Sequence, residues 1–181
     1  MLAQTQDIAR AVIANVDADQ LTAPTPCKDW DVADLIDHLV GSQHWSRSAM
    51  EGVAMTETGE GSAKGDFAAT FDAAAAANLA AFEADGALGR MVNPGFGDMP
   101  AMALLGLSAT DTFTHAWDLA KATGQDTNLA PELAAGLLAQ SKQSIQPAFR
   151  SEEGSIFGLE QQAPEGASAA DQLAAFLGRT V

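Results

Sequence analysis

Between Pro100 and Gly124 runs a stretch too apolar for an outer helix, yet it carries an aspartate and a histidine four residues apart. A helix made of Met102-Ala-Leu-Leu-Gly-Leu-Ser-Ala-Thr-Asp-Thr-Phe-Thr-His-Ala-Trp-Asp-Leu-Ala120 has to be central, with the other elements packed round it. Residues i and i+4 stack on one face of a helix, so Asp111 and His115 point the same way. A carboxylate in such surroundings needs compensation, because an unpaired buried charge is costly. A metal ion, an intrahelical Asp–His hydrogen bond and exposure on a polar face each supply it.

The rest of the chain reads as further helices. Leu2 to Val16 carries one apolar stripe at Ile8, Val12, Ile13 and Val16. Thr22-Ala-Pro-Thr-Pro-Cys27 breaks it, since two prolines do not continue a helix. A second helix opens at Asp31, an N-cap with Asp34 three residues on, and keeps a helical period through Val32, Leu35, Ile36, Leu39 and Val40. Thr56 to Gly65 is small, polar and Gly-rich, the composition of a mobile loop. A third helix is expected from Asp66 through Glu83, and Gly86 to Gly97 reads as a turn or small hairpin. The central helix spans about Pro100 to Thr123 and stops at Gly124. Pro131 starts a fifth helix, and Ala169 to Leu177 forms a short last one. Alanine and leucine are abundant, β-branched and aromatic residues are sparse, and tyrosine is absent. That balance favours helices over sheets. The expectation is an all-α bundle forming a single domain over residues 1–181.

His38 lies at the edge of the apolar stripe of the second helix, three residues after Leu35. If it faces Asp111 and His115, two imidazoles and a carboxylate converge, with coordination positions left open. Taken alone, His38 reads equally as a half-buried histidine bonded to a carbonyl. The sequence has three histidines, and His44, six positions further along, falls on a different part of the helix surface. Cys27 in its proline-flanked loop is assigned to packing and Trp30, Trp45 and Trp117 to core or pocket walls; Asp118, three residues after His115, reads as a helix-surface acid or as an acceptor for an imidazole N–H, and the surface is favoured. There is no G-x-S-x-G elbow, no P-loop and no G-x-G-x-x-G after a strand.

Composition removes several partners. The formal charge is −15, and lysines and arginines are too scattered to neutralise phosphates, which argues against nucleic acid and anionic membranes. No apolar run reaches the roughly 20 residues of a membrane span. A single cysteine and an N-terminus without a signal-peptide pattern lead us to expect a cytoplasmic protein.

The segments Pro24-Thr-Pro-Cys-Lys-Asp-Trp-Asp-Val-Ala-Asp-Leu-Ile-Asp-His-Leu-Val-Gly41 and Thr110-Asp-Thr-Phe-Thr-His-Ala-Trp-Asp-Leu-Ala-Lys-Ala-Thr-Gly124 closely resemble the hallmark segments of actinobacterial DinB-like proteins. These are similar to the N-terminal metal-binding domain of mycothiol-dependent maleylpyruvate isomerase, and Asp171-Gln-Leu-Ala-Ala-Phe-Leu-Gly-Arg179 extends the likeness towards the C-terminus. The resemblance implies a DinB-like four-helix bundle with additional short helices. It also implies a divalent metal, Zn²⁺ or Ni²⁺, held by His38, Asp111 and His115. Many relatives carry histidine or glutamate where Asp111 stands; aspartate, one methylene shorter, demands a closer backbone approach. By the same resemblance the partners are a low-molecular-weight thiol such as mycothiol and a small electrophile, in a thiol S-transferase or thiol-assisted isomerase. A homodimer through bundle faces is compatible with it. The isomerase has a further C-terminal domain, of which the present sequence is expected to contain nothing. The contrasting expectation is a non-catalytic module that binds a metal or small ligand.

Overall fold

The capping chemistry of the sequence sets where the helices begin and end. The structure, a computed structural model, describes residues 1–151 and 157–181. Among these the α-helices are α1 (Leu2–Ile13), α2 (Val32–Glu51), α3 (Phe67–Glu83), α4 (Ala101–Ala122), α5 (Pro131–Ser144) and α6 (Ala169–Phe176). Asp31 caps α2 in a reciprocal box with Asp34, and Asp66 caps α3 by accepting from the Ala69 amide. Gly52 and Gly124 take left-handed φ values of 70° and 71° where α2 and α4 stop. The first helix ends at Ile13, short of Val16, because Asp17 turns extended and opens a separate single turn of 3-10 helix over Ala18–Gln20. The expected hairpin forms from β1 (Met91–Val92) and β2 (Met99–Pro100), which pair antiparallel.

Helices α1 to α4 make a four-helix bundle in which α4 lies against both α1 and α2, and α3 against the same two. Helices α5 and α6 pack on each other, with α6 against α4. This is the all-α bundle with additional helices expected from the sequence. No helix among the described residues is long and apolar enough to cross a membrane.

Two apolar clusters fill the interior. One includes Leu2, Met50, Phe82, Leu104, Phe113 and Trp117; the other includes Ile13, Leu35, Ile36, Leu39, Phe71 and Leu119. Their order along each helix shows α1 and α4 running one way and α2 and α3 the other. Parallel neighbours need a long connection, which is what residues 52–66 supply. That connection is not the loose loop its composition suggested. It lies on α2 so closely that a Cβ on Gly41 would sit 2.3 Å from the Thr58 carbonyl oxygen, and one on Gly59 2.2 Å from that of Asp37. The Asp37 carboxylate then accepts from the Gly61 and Ala63 amides at 2.6 and 2.8 Å. The residue before His38 is thereby pinned.

A polar layer separates the two clusters, and each bundle helix contributes to it. The Gln6 amide donates to Gln43 at 2.9 Å and to the Ala75 carbonyl at 3.0 Å. Gln43 donates to Thr112 at 2.9 Å and accepts from Asn78 at 2.9 Å. Ser46 donates to Asn78 at 2.8 Å and meets Ser108 at 3.2 Å. All six side chains are buried and partnered. Satisfied networks of this kind fix how helices register against one another.

Candidate metal centre

His38 comes from α2 and Asp111 and His115 from α4, so the crossing of two helices decides whether they meet. Leu35, Ile36, Leu39 and Val40 are fully buried against the bundle, which leaves His38 on the flank facing α4. His38 Nε2 and His115 Nε2 each lie 3.5 Å from Asp111 Oδ1. Ligand atoms of the three residues all fall within 4.8 Å of one another. Two ligands each about 2.1 Å from a tetrahedral ion stand roughly 3.4 Å apart, so the spacing matches coordination better than direct hydrogen bonding. His38 Nε2 and Asp111 Oδ2 are buried and have no hydrogen-bond partner. Buried polar atoms are almost always paired, and two orphans within one cluster of ligand-like spacing fit a cation there.

The other face of His115 is fully engaged. Its Nδ1 lies 3.0 Å from Asp118 Oδ2, a contact that holds a proton on Nδ1 and makes Nε2 the nitrogen that takes either a second proton or an ion. Arg179 grips the same carboxylate, with Nη2 donating to Oδ2 at 2.8 Å and Nε to Oδ1 at 3.1 Å. The Cys27 thiol donates to Asp118 Oδ2 at 3.3 Å and lies 3.8 Å from His115 Nδ1. Cys27, His115 and Asp118 also form a trio with ligand-like spacing. The Arg179 guanidinium on Asp118 repels a second cation at that point, so we assign this trio to support of His115.

Charge follows from these contacts. Burial would raise Asp111, but the His115 and His38 imidazoles outweigh it and hold its carboxyl well below the ordinary range. Burial would lower His115, but Asp111, with smaller help from Asp118 and Cys27, keeps it well above an ordinary histidine. Asp118 is likewise penalised by burial, yet His115 and Arg179 bring it down to about 2. In the absence of an ion the site therefore holds a proton on His115 between two carboxylates.

A cavity of about 340 Å³ opens in front of the three residues, bounded by Trp30, Thr114, Leu177 and Arg179. Trp30 packs against both imidazoles, with ring centroids 4.9 Å from His38 and 5.9 Å from His115, as a pocket wall should. His44 stays apart, with Nδ1 3.3 Å from Glu57. Asp118, expected on the surface, is instead 0% exposed. Its spacing from His115, i to i+3, was the available signal, but only the arrival of Arg179 makes burial of that carboxylate tolerable. Cys27 does more than pack, and Arg179 escaped notice because nothing local links it to a residue 61 positions earlier.

Residues 2–120 match the family model described as the mycothiol maleylpyruvate isomerase N-terminal domain. The matched stretch contains the three converging residues and Asp118, but not Arg179. Two uncharacterized proteins of Mycobacterium tuberculosis, from strains CDC 1551 / Oshkosh and ATCC 25618 / H37Rv, are each 42% identical over 182 residues, covering 98% of this chain and 95% of the relative. No solved structure matches.

Proposed function

The chain belongs to the family of the mycothiol maleylpyruvate isomerase N-terminal domain, and we propose that it is a divalent-metal-dependent thiol S-transferase. The observation that carries this reading is the pair of orphaned buried atoms, His38 Nε2 and Asp111 Oδ2, beside His115 at the floor of an open cavity. His38, Asp111 and His115 would hold the ion, zinc or nickel by the nitrogen-rich donor set. A divalent ion held there lowers the pKa of a thiol that reaches its open position, so that a nucleophile is present at neutral pH.

The protein's own residues prepare that position. Asp118 fixes the His115 tautomer so that Nε2 faces the cavity with its lone pair, and Arg179 keeps Asp118 ionised. Trp30 and Leu177 wall the cavity with apolar surface and limit water round the reacting sulfur. In the overall reaction the thiol sulfur forms a bond to the electrophilic carbon of a small substrate. The carbon–leaving-group bond breaks, the leaving group takes the electron pair, and the thiol proton passes to solvent. A low-molecular-weight thiol of the mycothiol kind is the co-substrate that the family name suggests.

The test is elemental analysis of tag-free protein followed by turnover of an alkyl halide with mycothiol. Metal-dependent consumption of thiol by wild type, absent in His115→Ala, is the expected result. Stoichiometric metal without turnover of any electrophile would instead make the protein a metal-binding module, and the absence of metal after incubation with zinc and nickel would remove the reading altogether.

A further inference from the structure

A second cavity, of about 430 Å³ and largely apolar in lining, lies next to the first. Leu107 and Thr110 of α4 and Phe157 line both, so the two spaces run in series along one face of α4. The second is lined by Ile145 and Phe149 and by Phe96 and Met99 from the hairpin, with both phenylalanines about half exposed. Phe96 is held in place: it stacks on Trp45 with centroids 6.2 Å apart, and the Trp45 indole donates to the Pro94 carbonyl at 2.9 Å. Gly106 contributes to the shape as well, because a Cβ there would meet Gln140 Nε2 at 2.2 Å. With glycine, the Gln140 side chain lies across α4 as part of the cavity wall.

From this continuity we infer that the second cavity receives the apolar body of a ligand whose polar, reactive head lies at His38, Asp111 and His115. The inference rests on the metal reading above and narrows its substrate class to electrophiles bearing an alkyl or aryl group. Its reach is set by the helix: Asp111 back to Ala103 is eight residues, or about 12 Å of rise, comparable with an eight-carbon chain. Thr110, buried between the two spaces, stands where head meets body.

Alkyl hydroxamates, which combine a metal-binding head with a tail of chosen length, probe this directly on zinc-loaded protein by titration calorimetry. Octanohydroxamate should bind wild type at least about tenfold more tightly than acetohydroxamate, given how strongly methylene burial favours binding. Ala103→Trp fills the mouth from an exposed position on α4, and should cut that preference to below about threefold while leaving acetohydroxamate affinity and zinc content unchanged. Ser144→Trp, which enters the same cavity from α5, should do the same. Equal affinity of wild type for the two hydroxamates, or a preference that survives both tryptophans, would overturn the inference and leave the metal reading standing. Wild type that takes up no zinc would overturn both.

Discussion

The interior of this bundle contains two polar regions only a helical step apart, and they obey opposite rules. Thr112 faces inward and takes its place in a layer where Gln6, Gln43, Asn78, Ser46 and Ser108 all find partners. Asp111, one residue earlier and rotated by about 100°, faces a cavity in which its Oδ2 and His38 Nε2 have no hydrogen-bond partner. A chain selected only for stability would satisfy or replace such atoms. The layer that is complete holds the four helices in register, and the one that is incomplete has the spacing and the unpartnered atoms that a bound cation would use. The contrast also separates the roles of α2 and α4, since Gln43 and Thr112 join them internally while His38 and Asp111 remain available.

That contrast can be broken first at the three candidate ligands. His115→Ala should remove stoichiometric metal, with a loss of affinity larger than the roughly 100-fold typical of losing an outer hydrogen-bonding partner. Loss of the imidazole also strands the Asp111 and Asp118 carboxylates inside the bundle, so the metal-free fold should weaken by about 3 kcal/mol; elemental analysis and urea unfolding read the two effects. The complementary change, Gln43→Leu, strands donors and acceptors on Gln6, Asn78 and Thr112. It should destabilise the metal-free protein by about 3 kcal/mol while metal per folded molecule stays the same. Equal stability of this variant and wild type would mean that the polar layer does not hold the bundle.

Asp118→Asn sharpens the comparison from the supporting side. It keeps the size of the side chain but weakens its hold on His115 Nδ1 and leaves Arg179 short of its counter-charge. Metal affinity measured against a chelator should fall by roughly 10- to 100-fold. An unchanged affinity would reduce Asp118 to a packing element.

The smallest effect concerns pH. In metal-free protein the His115 pKa is raised by Asp111 and Asp118, so its stabilisation is complete below about 6.5 and fades as pH rises through the raised folded value. Asp111 and Asp118 are depressed, so theirs is present above about 3.9 and fades as pH falls. Metal-free protein should therefore lose stability on going from pH 6.5 upward. Metal-loaded protein should not, because the ion replaces the proton between the carboxylates; thermal melts with and without zinc across that range decide it.

Much of this was legible along the chain. The i, i+4 pair of Asp111 and His115 and the edge position of His38 are local patterns, and a helix converts them into faces without further information. The Asp31–Asp34 cap and the glycines at 52 and 124 mark helix ends by equally local chemistry. Less legible was the Thr56–Gly65 connection, where small residues suggested looseness. Gly41 and Gly59 are small instead because two backbones touch there. Asp118 was misplaced on the surface, since its burial depends on a guanidinium delivered from beyond α6.

What the sequence determined by itself was the set of helices, their apolar faces and the three residues able to meet at one crossing. Tertiary structure alone decided that they do meet, that Asp118 and Arg179 stand behind His115, that one glutamine ties four helices together, and that a second cavity adjoins the first. The physical reason is range. Periodicity and capping act over one or two helical turns, whereas which polar atom finds a partner depends on side chains that folding brings from tens of residues away.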